Sequence, residues 1–246
     1  MKKLFIDGII DESIQLPADT AHHLFHVLRH SKEEPFIVSN HEGHTGEYVL
    51  DSEESDIYMA KRLRIIDVST VATKVVLIQS FLKGDKFEFL LQKATELNVH
   101  HIYGVSSVHC VAKYDAKKLS TKKSRWEKII VEASQQCGRP NVPTLTVEQS
   151  LSEVLQSLQS DKGVLLLGAY EREDDMTIKD ILQTQLHTNS YHTIAICIGP
   201  EGGYSPNEME LLESCGGHKV SLGPTILRAE TAALGAVSMI QYELLD

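Results

Sequence analysis

From about residue 72 onward the chain alternates apolar runs of strand length with stretches of helical periodicity: KVVLIQSFL, KFEFLLQKATEL, HIYGVSSV, SRWEKIIVEASQQ, SLSEVLQSL, GVLLLGAY, TIKDILQTQL and TIAICIG. Strands that alternate with helices favour a parallel sheet covered on both faces. Residues 1–70 read differently. There the apolar runs LFIDGII, FIVSN, GEYVL and IYMAKRLRII are separated by Gly, Asp, Asn and Ser turn residues, as in a β-rich domain. Between the first two lies DTAHHLFHVLR, with Leu24, Val27 and Leu28 at helical spacing and Asp19 or Thr20 available as a cap. The expected organisation is a small β-rich domain over 1–70 and an α/β domain over 73–246. A chain of 246 residues, 42% hydrophobic, can bury a core in each.

Several classes drop out. No apolar run approaches the roughly 18 residues that span a bilayer. The N-terminus MKKLFIDGIIDE turns acidic where a secretory signal would stay apolar, so a cytoplasmic protein with no membrane partner is expected. The four cysteines, Cys110, Cys137, Cys197 and Cys215, form no C-x-x-C pair, which argues for reduced, packed thiols rather than a zinc ribbon or a disulfide framework. His22, His26 and His30 recur every four residues and could face one way as metal ligands. They have no obvious cysteine or carboxylate partner, so no metal is expected.

The net charge of −10 speaks against a polyanionic partner, but it is an average. Residues 1–70 hold 7 basic and 13 acidic side chains, residues 71–140 hold 12 and 6, and residues 141–246 hold 5 and 15. Within the basic third, KYDAKKLSTKKSRWEK at 113–128 carries seven cations, among them Lys117, Lys118, Lys122, Lys123 and Arg125. A solvated helix face explains such a run as readily as a nucleic-acid contact. Trp126 sits in a W-x-x-I-I-V-x-A pattern and reads as the apolar anchor of that helix.

The sequence IAICIGPEGGYSPNE joins an apolar strand to a helix start. Ser205 is placed to cap, Pro206 to occupy the first helical position and Glu208 to complete a capping box. A glycine loop at a strand's carboxyl end is where ligands bind in open parallel sheets. A phosphate is not the expected ligand: G-x-x-x-x-G-K-[ST] and G-x-G-x-x-G are both missing, the loop has no nearby lysine, and Glu201 would repel the anion. HKVSLGPTILRAETAALGAVSMIQYELL repeats the design about twenty residues later. Val220 and Leu222 close a strand, Gly223-Pro224 forms a second open turn, Ile226 and Leu227 are apolar within a loop, and Arg228–Leu245 is an amphipathic helix. Two such turns at adjacent strand ends are expected to face one crevice.

These two segments resemble the C-terminal signature of the RsmE-type bacterial methyltransferases of the SPOUT superfamily, which methylate N3 of a uridine in small-subunit ribosomal RNA. HHLFHVLR at 22–29, KGDKFEFLLQKATELNVHHI at 83–102 and RWEKIIVEASQQCGRPNVP at 125–143 agree, in family order, over nearly the whole chain. The resemblance implies a PUA-like β-barrel followed by an α/β domain whose last segment forms a trefoil knot. It also implies a homodimer, S-adenosylmethionine as cofactor, and 16S rRNA within the small ribosomal subunit as partner. Gly199, Gly202, Gly203 and Gly223 would let backbone approach the cofactor, while Leu222, Ile226 and Leu227 enclose its adenine and Leu167 supplies a third wall. Arg228 and Glu230 are the catalytic candidates, arginine for charge on the uracil oxygens and glutamate to accept the imide proton or position the base. RNA contacts are expected from Arg29, the five cations of 117–125 and Arg139. Two positions depart from the family pattern, His109 and Thr225 standing where arginine is usual. They leave open an alternative, a noncatalytic RNA-binding or assembly protein that retains the cofactor pocket.

Overall fold

The computed structural model describes residues 2–40, 44–66, 73–147 and 149–245. The expected domain boundary falls on residues 70–72, outside the described residues. The chain divides into two compact units, residues 1–70 with 131–142, and residues 71–130 with 143–246.

In the first unit, β1 (Lys3–Ile6), β2 (Ser13–Leu16), β3 (Phe36–Asn40), β4 (Thr45–Glu54) and β5 (Ile57–Ile66) form one sheet in the order β1-β3-β4-β5-β2. The β1–β3 pair is parallel and the others are antiparallel. The β4–β5 hairpin turns on Ser55-Asp56, both at positive φ (47° and 66°), the backbone a two-residue hairpin requires. Leu4, Phe36, Val38, Tyr48 and Ala60 pack with Leu24 and Phe25 in the core. The helix before β3 differs from the sequence expectation. α1 (Ala18–His22) is capped by Pro17 without a side-chain hydrogen bond and passes into a π-helical turn over His23–Val27. The i→i+5 bond from Leu28 N–H to the His23 carbonyl, 2.8 Å, adds a residue to the turn. It therefore rotates Phe25 inward beside Leu24 and leaves Val27 and Leu28 exposed.

The second unit holds β6 (Lys74–Ser80), α2 (Lys86–Glu96), β7 (His101–Val105), most of α3 (Ala116–Cys137) and β8 (Thr144–Thr146). It continues with α4 (Leu151–Gln159), β9 (Val164–Ala169), α5 (Ile178–Thr188), β10 (Thr193–Ile198), α6 (Pro206–Ser214), β11 (His218–Val220) and α7 (Ala229–Glu243). Its six strands are all parallel, in the order β11-β9-β10-β6-β7-β8. Strand side chains alternate between faces. Val76, Ile78, Leu166, Ala195 and Cys197 pack against α4 and α6, while α7 lies across β6 and β10 together with α2 and α5. Trp126, 1% exposed, is a core anchor as its apolar pattern indicates, ringed by Phe81, Phe87 and Tyr114. No helix among the described residues is long and apolar enough to cross a membrane.

Candidate active site

The carboxyl ends of β9, β10 and β11 meet in one cavity of about 900 Å³. The expectation that the two glycine turns leave adjacent strands needs correction. β9 lies between β10 and β11, because the chain places β10 on one side of β9 and β11 on the other. A third segment, Ala169-Tyr170-Glu171, therefore joins the cavity wall. Leu167 does not. It is fully buried, two residues before β9 ends, and points to the face opposite Leu166, so the wall expected from it belongs to Ala169 and Tyr170.

The first glycine loop is built as its sequence indicates. Ser205 Oγ accepts from Glu208 N–H, Glu208 returns the bond to the Ser205 backbone, and Pro206 opens α6. Glu208 also accepts from Val108 N–H at 2.9 Å, tying the loop after β7 to this helix. Behind the loop the buried Gln79 side chain donates to the carbonyls of Ile198 (3.4 Å) and Gly199 (3.2 Å), which fixes where the chain leaves β10. The glycines at two positions are tightly placed. A Cβ on Gly199 would stand 3.0 Å from the Gly203 backbone, and Gly203 itself has φ +69° with a would-be Cβ 2.5 Å from a Glu171 carboxylate oxygen. The result is a bare backbone cradle with carboxylates at its edge.

The second turn runs from Ser221 to Arg228 along the cavity. Ile226, 86% exposed, is an apolar side chain held open to solvent, with Leu222 and Leu227 half-buried beside it. Thr225 and Gly223 line the same stretch, as do Gly202 and Gly203 across from it. His109 Nδ1 lies 3.1 Å from the Gly203 carbonyl, a contact that requires the proton on Nδ1.

Arg228 is the N-cap of α7 and lines the cavity. Glu230 stands behind the wall, and its carboxylate is held by Lys86 Nζ at 3.3 and 3.4 Å. Lys86 opens α2, lines the cavity and also lies 3.9 Å from Glu201, which accepts from Lys83 N–H at 3.1 Å. Sequence reading missed Lys86: the glycine loop has no lysine beside it in sequence, yet the fold brings one in from more than a hundred residues away. A signal was available, because a cation in the first turn of a helix opposes the helix dipole. Glu171, Glu173 and Asp174, also unanticipated, add negative charge to the rim.

Lys117, Lys118, Lys122, Lys123 and Arg125 all lie on α3. Lys118 pairs with Asp115 at 3.4 Å, Arg125 pairs with Glu88 at 2.7 Å, and Lys122 sits over the rings of Tyr114 and Trp126. Arg29 is exposed at φ 51°. Arg139, expected as an RNA contact, lies mostly buried. It is 6% exposed and donates to Asn141 Oδ1 at 3.0 Å, and burial lowers its pKa to about 10 because an ion loses hydration there. The histidine series 22, 26 and 30 makes ring and hydrogen-bond contacts, and no group that could hold a metal occurs among the described residues.

Residues 70–241 match the RNA methyltransferase domain family. The chain is 30% identical to ribosomal RNA small subunit methyltransferase E of Bacillus subtilis, over 94% of this chain and 90% of that one. The corresponding protein of Mycobacterium tuberculosis is 27% identical over 90% and 84%. Among solved structures, ribosomal RNA small subunit methyltransferase E of Neisseria gonorrhoeae bound to S-adenosyl methionine superposes with a TM-score of 0.82 at 26% identity, over 98% and 97% of the two chains. A putative methyltransferase of Legionella pneumophila in complex with the same cofactor gives 0.82 at 27%, over 98% and 96%.

Proposed function

The chain belongs to the RNA methyltransferase family, and from that premise we propose that it methylates N3 of a uridine in small-subunit (16S) ribosomal RNA, acting on the assembled subunit. One observation carries the reading: three strand ends enclose a cavity with a bare glycine cradle, a held-open apolar loop and an acidic rim. S-adenosylmethionine fits this lining. Its sulfonium suits the carboxylates of Glu171 and Glu201, and its uncharged adenosine needs close backbone at Gly199, Gly202, Gly203 and Gly223 with apolar cover from Leu222, Ile226 and Leu227. Bound there, it supplies a methyl group already activated for transfer to a nitrogen nucleophile.

The protein's part is alignment and management of one proton. Arg228, on the cavity wall, is assigned to the charge that develops on the uracil oxygens. Glu230, in the first turn of α7, is assigned to receive the imide proton or to position the base. Phosphate contacts are assigned to the α3 cations and to Arg29. The same reading makes the first unit a PUA-like β-barrel, threads the last segment of the second unit as a trefoil knot, pairs two chains in a homodimer and locates the protein in the cytoplasm with the ribosome.

The test is transfer of labelled methyl from S-adenosylmethionine to isolated small subunits, naked rRNA and tRNA, with mass mapping of the product base. One 3-methyluridine, formed in subunits and not in tRNA, is the expected result. Cofactor binding without methyl transfer to any of the three would leave an RNA-binding protein in its place.

A further inference from the structure

The Lys86–Glu230–Glu201 arrangement joins three elements at one point of the cavity: the first residue of α2, the glycine loop after β10 and the first turn of α7. Two features of Lys86 are not explained by packing. It opens α2, where the helix dipole disfavours a cation, although Glu88 in the same turn offsets part of that. Its side chain is 37% exposed and turned into the cavity rather than along the surface. Arg228, at the N-terminus of α7, repeats the oddity. Since α2 and α7 pack together, two cations from helix starts share the wall of one cavity. An arrangement that goes against local preference in this way marks a functional constraint.

We infer that Lys86 is a third catalytic residue, whose ammonium takes up the negative charge that forms on the target uracil, with Glu230 and Glu201 aiming it. This rests on the reaction proposed above. The N3–H bond breaks and its proton passes to Glu230 and then to water. The electron pair left on N3 spreads over the uracil O2 and O4 and then forms the N3–CH3 bond, while the S–CH3 bond breaks with its pair kept by sulfur, leaving neutral S-adenosylhomocysteine. Lys86 lines the cavity, where its ammonium meets a uracil oxygen, and Glu230, 3.3 Å behind it, takes the N3 proton across a bridging water. As Glu230 is neutralised by the proton, the attraction holding Lys86 falls, so the ammonium is released toward the uracil oxygen at the moment that charge appears.

The experiment compares Lys86→Met, Lys86→Arg and the wild-type protein in single-turnover methyl transfer to small subunits, with S-adenosylmethionine affinity measured separately by calorimetry on the protein alone. Lys86→Met should slow transfer about 100-fold with cofactor Kd within twofold of wild type, and Lys86→Arg should recover most of the rate. On subunits reconstituted with 5-fluorouridine RNA, whose imide ionises more readily, the deficit of Lys86→Met should shrink. A full rate in Lys86→Met, a loss confined to cofactor Kd, or an equal deficit on both RNAs would each overturn the role of Lys86 while leaving the reaction standing. Absence of 3-methyluridine with the wild-type protein would overturn the reaction itself, and the role with it.

Discussion

Gly203 shows how backbone conformation can fix one residue type. Its φ of +69° is costly for a branched side chain, and an added Cβ would meet the Glu171 carboxylate at 2.5 Å. Gly203→Val should therefore cost about 1–3 kcal/mol locally, and since the strain falls on the cradle, cofactor affinity should drop at least about tenfold by calorimetry while the far-ultraviolet circular dichroism is unchanged. Wild-type affinity in that variant would refute the cofactor-binding assignment of the loop. Arg139 illustrates the opposite case. A motif match names the residue, but only the structure shows its burial beside Asn141.

Among the elements, α6 was legible in detail and α1 was not. The Ser205–Glu208 capping box and the proline at the first turn are local, chemical signals, and the structure forms them as written. Ser205→Ala should destabilise the protein by about 1 kcal/mol, seen as a lower denaturant midpoint. It should also loosen the link from Glu208 to Val108, so proteolysis at the 106–112 loop should quicken. After α1 the helical period predicts a face of Leu24, Val27 and Leu28, but the π-helical turn buries Phe25 with Leu24 and leaves Val27 and Leu28 exposed. Competition for the first unit's core decides that, and no spacing rule contains it. The short β2 and β8 also escaped the sequence reading, because four- and three-residue strands carry too little alternation to stand out.

On the scale of the whole molecule, charge is unevenly distributed: a net −10 coexists with a basic α3. If Lys117, Lys122 and Arg29 neutralise phosphates while Lys118 and Arg125 stay with their carboxylates, the logarithm of RNA affinity should fall with the logarithm of salt concentration at a slope of about −2. A flat profile would remove α3 from the RNA-binding surface. The sequence by itself determined the α/β class of the second unit, the two glycine turns and their helix starts. Each of those rests on periodicity or on chemistry within a few residues. Only the tertiary structure decided that β9 separates β10 from β11, that Ala169 and Tyr170 stand in the wall in place of Leu167, and that Lys86 reaches Glu230 across 144 residues of chain. Strand order and the meeting of distant side chains follow from how the whole core is buried, and local spacing carries no record of that.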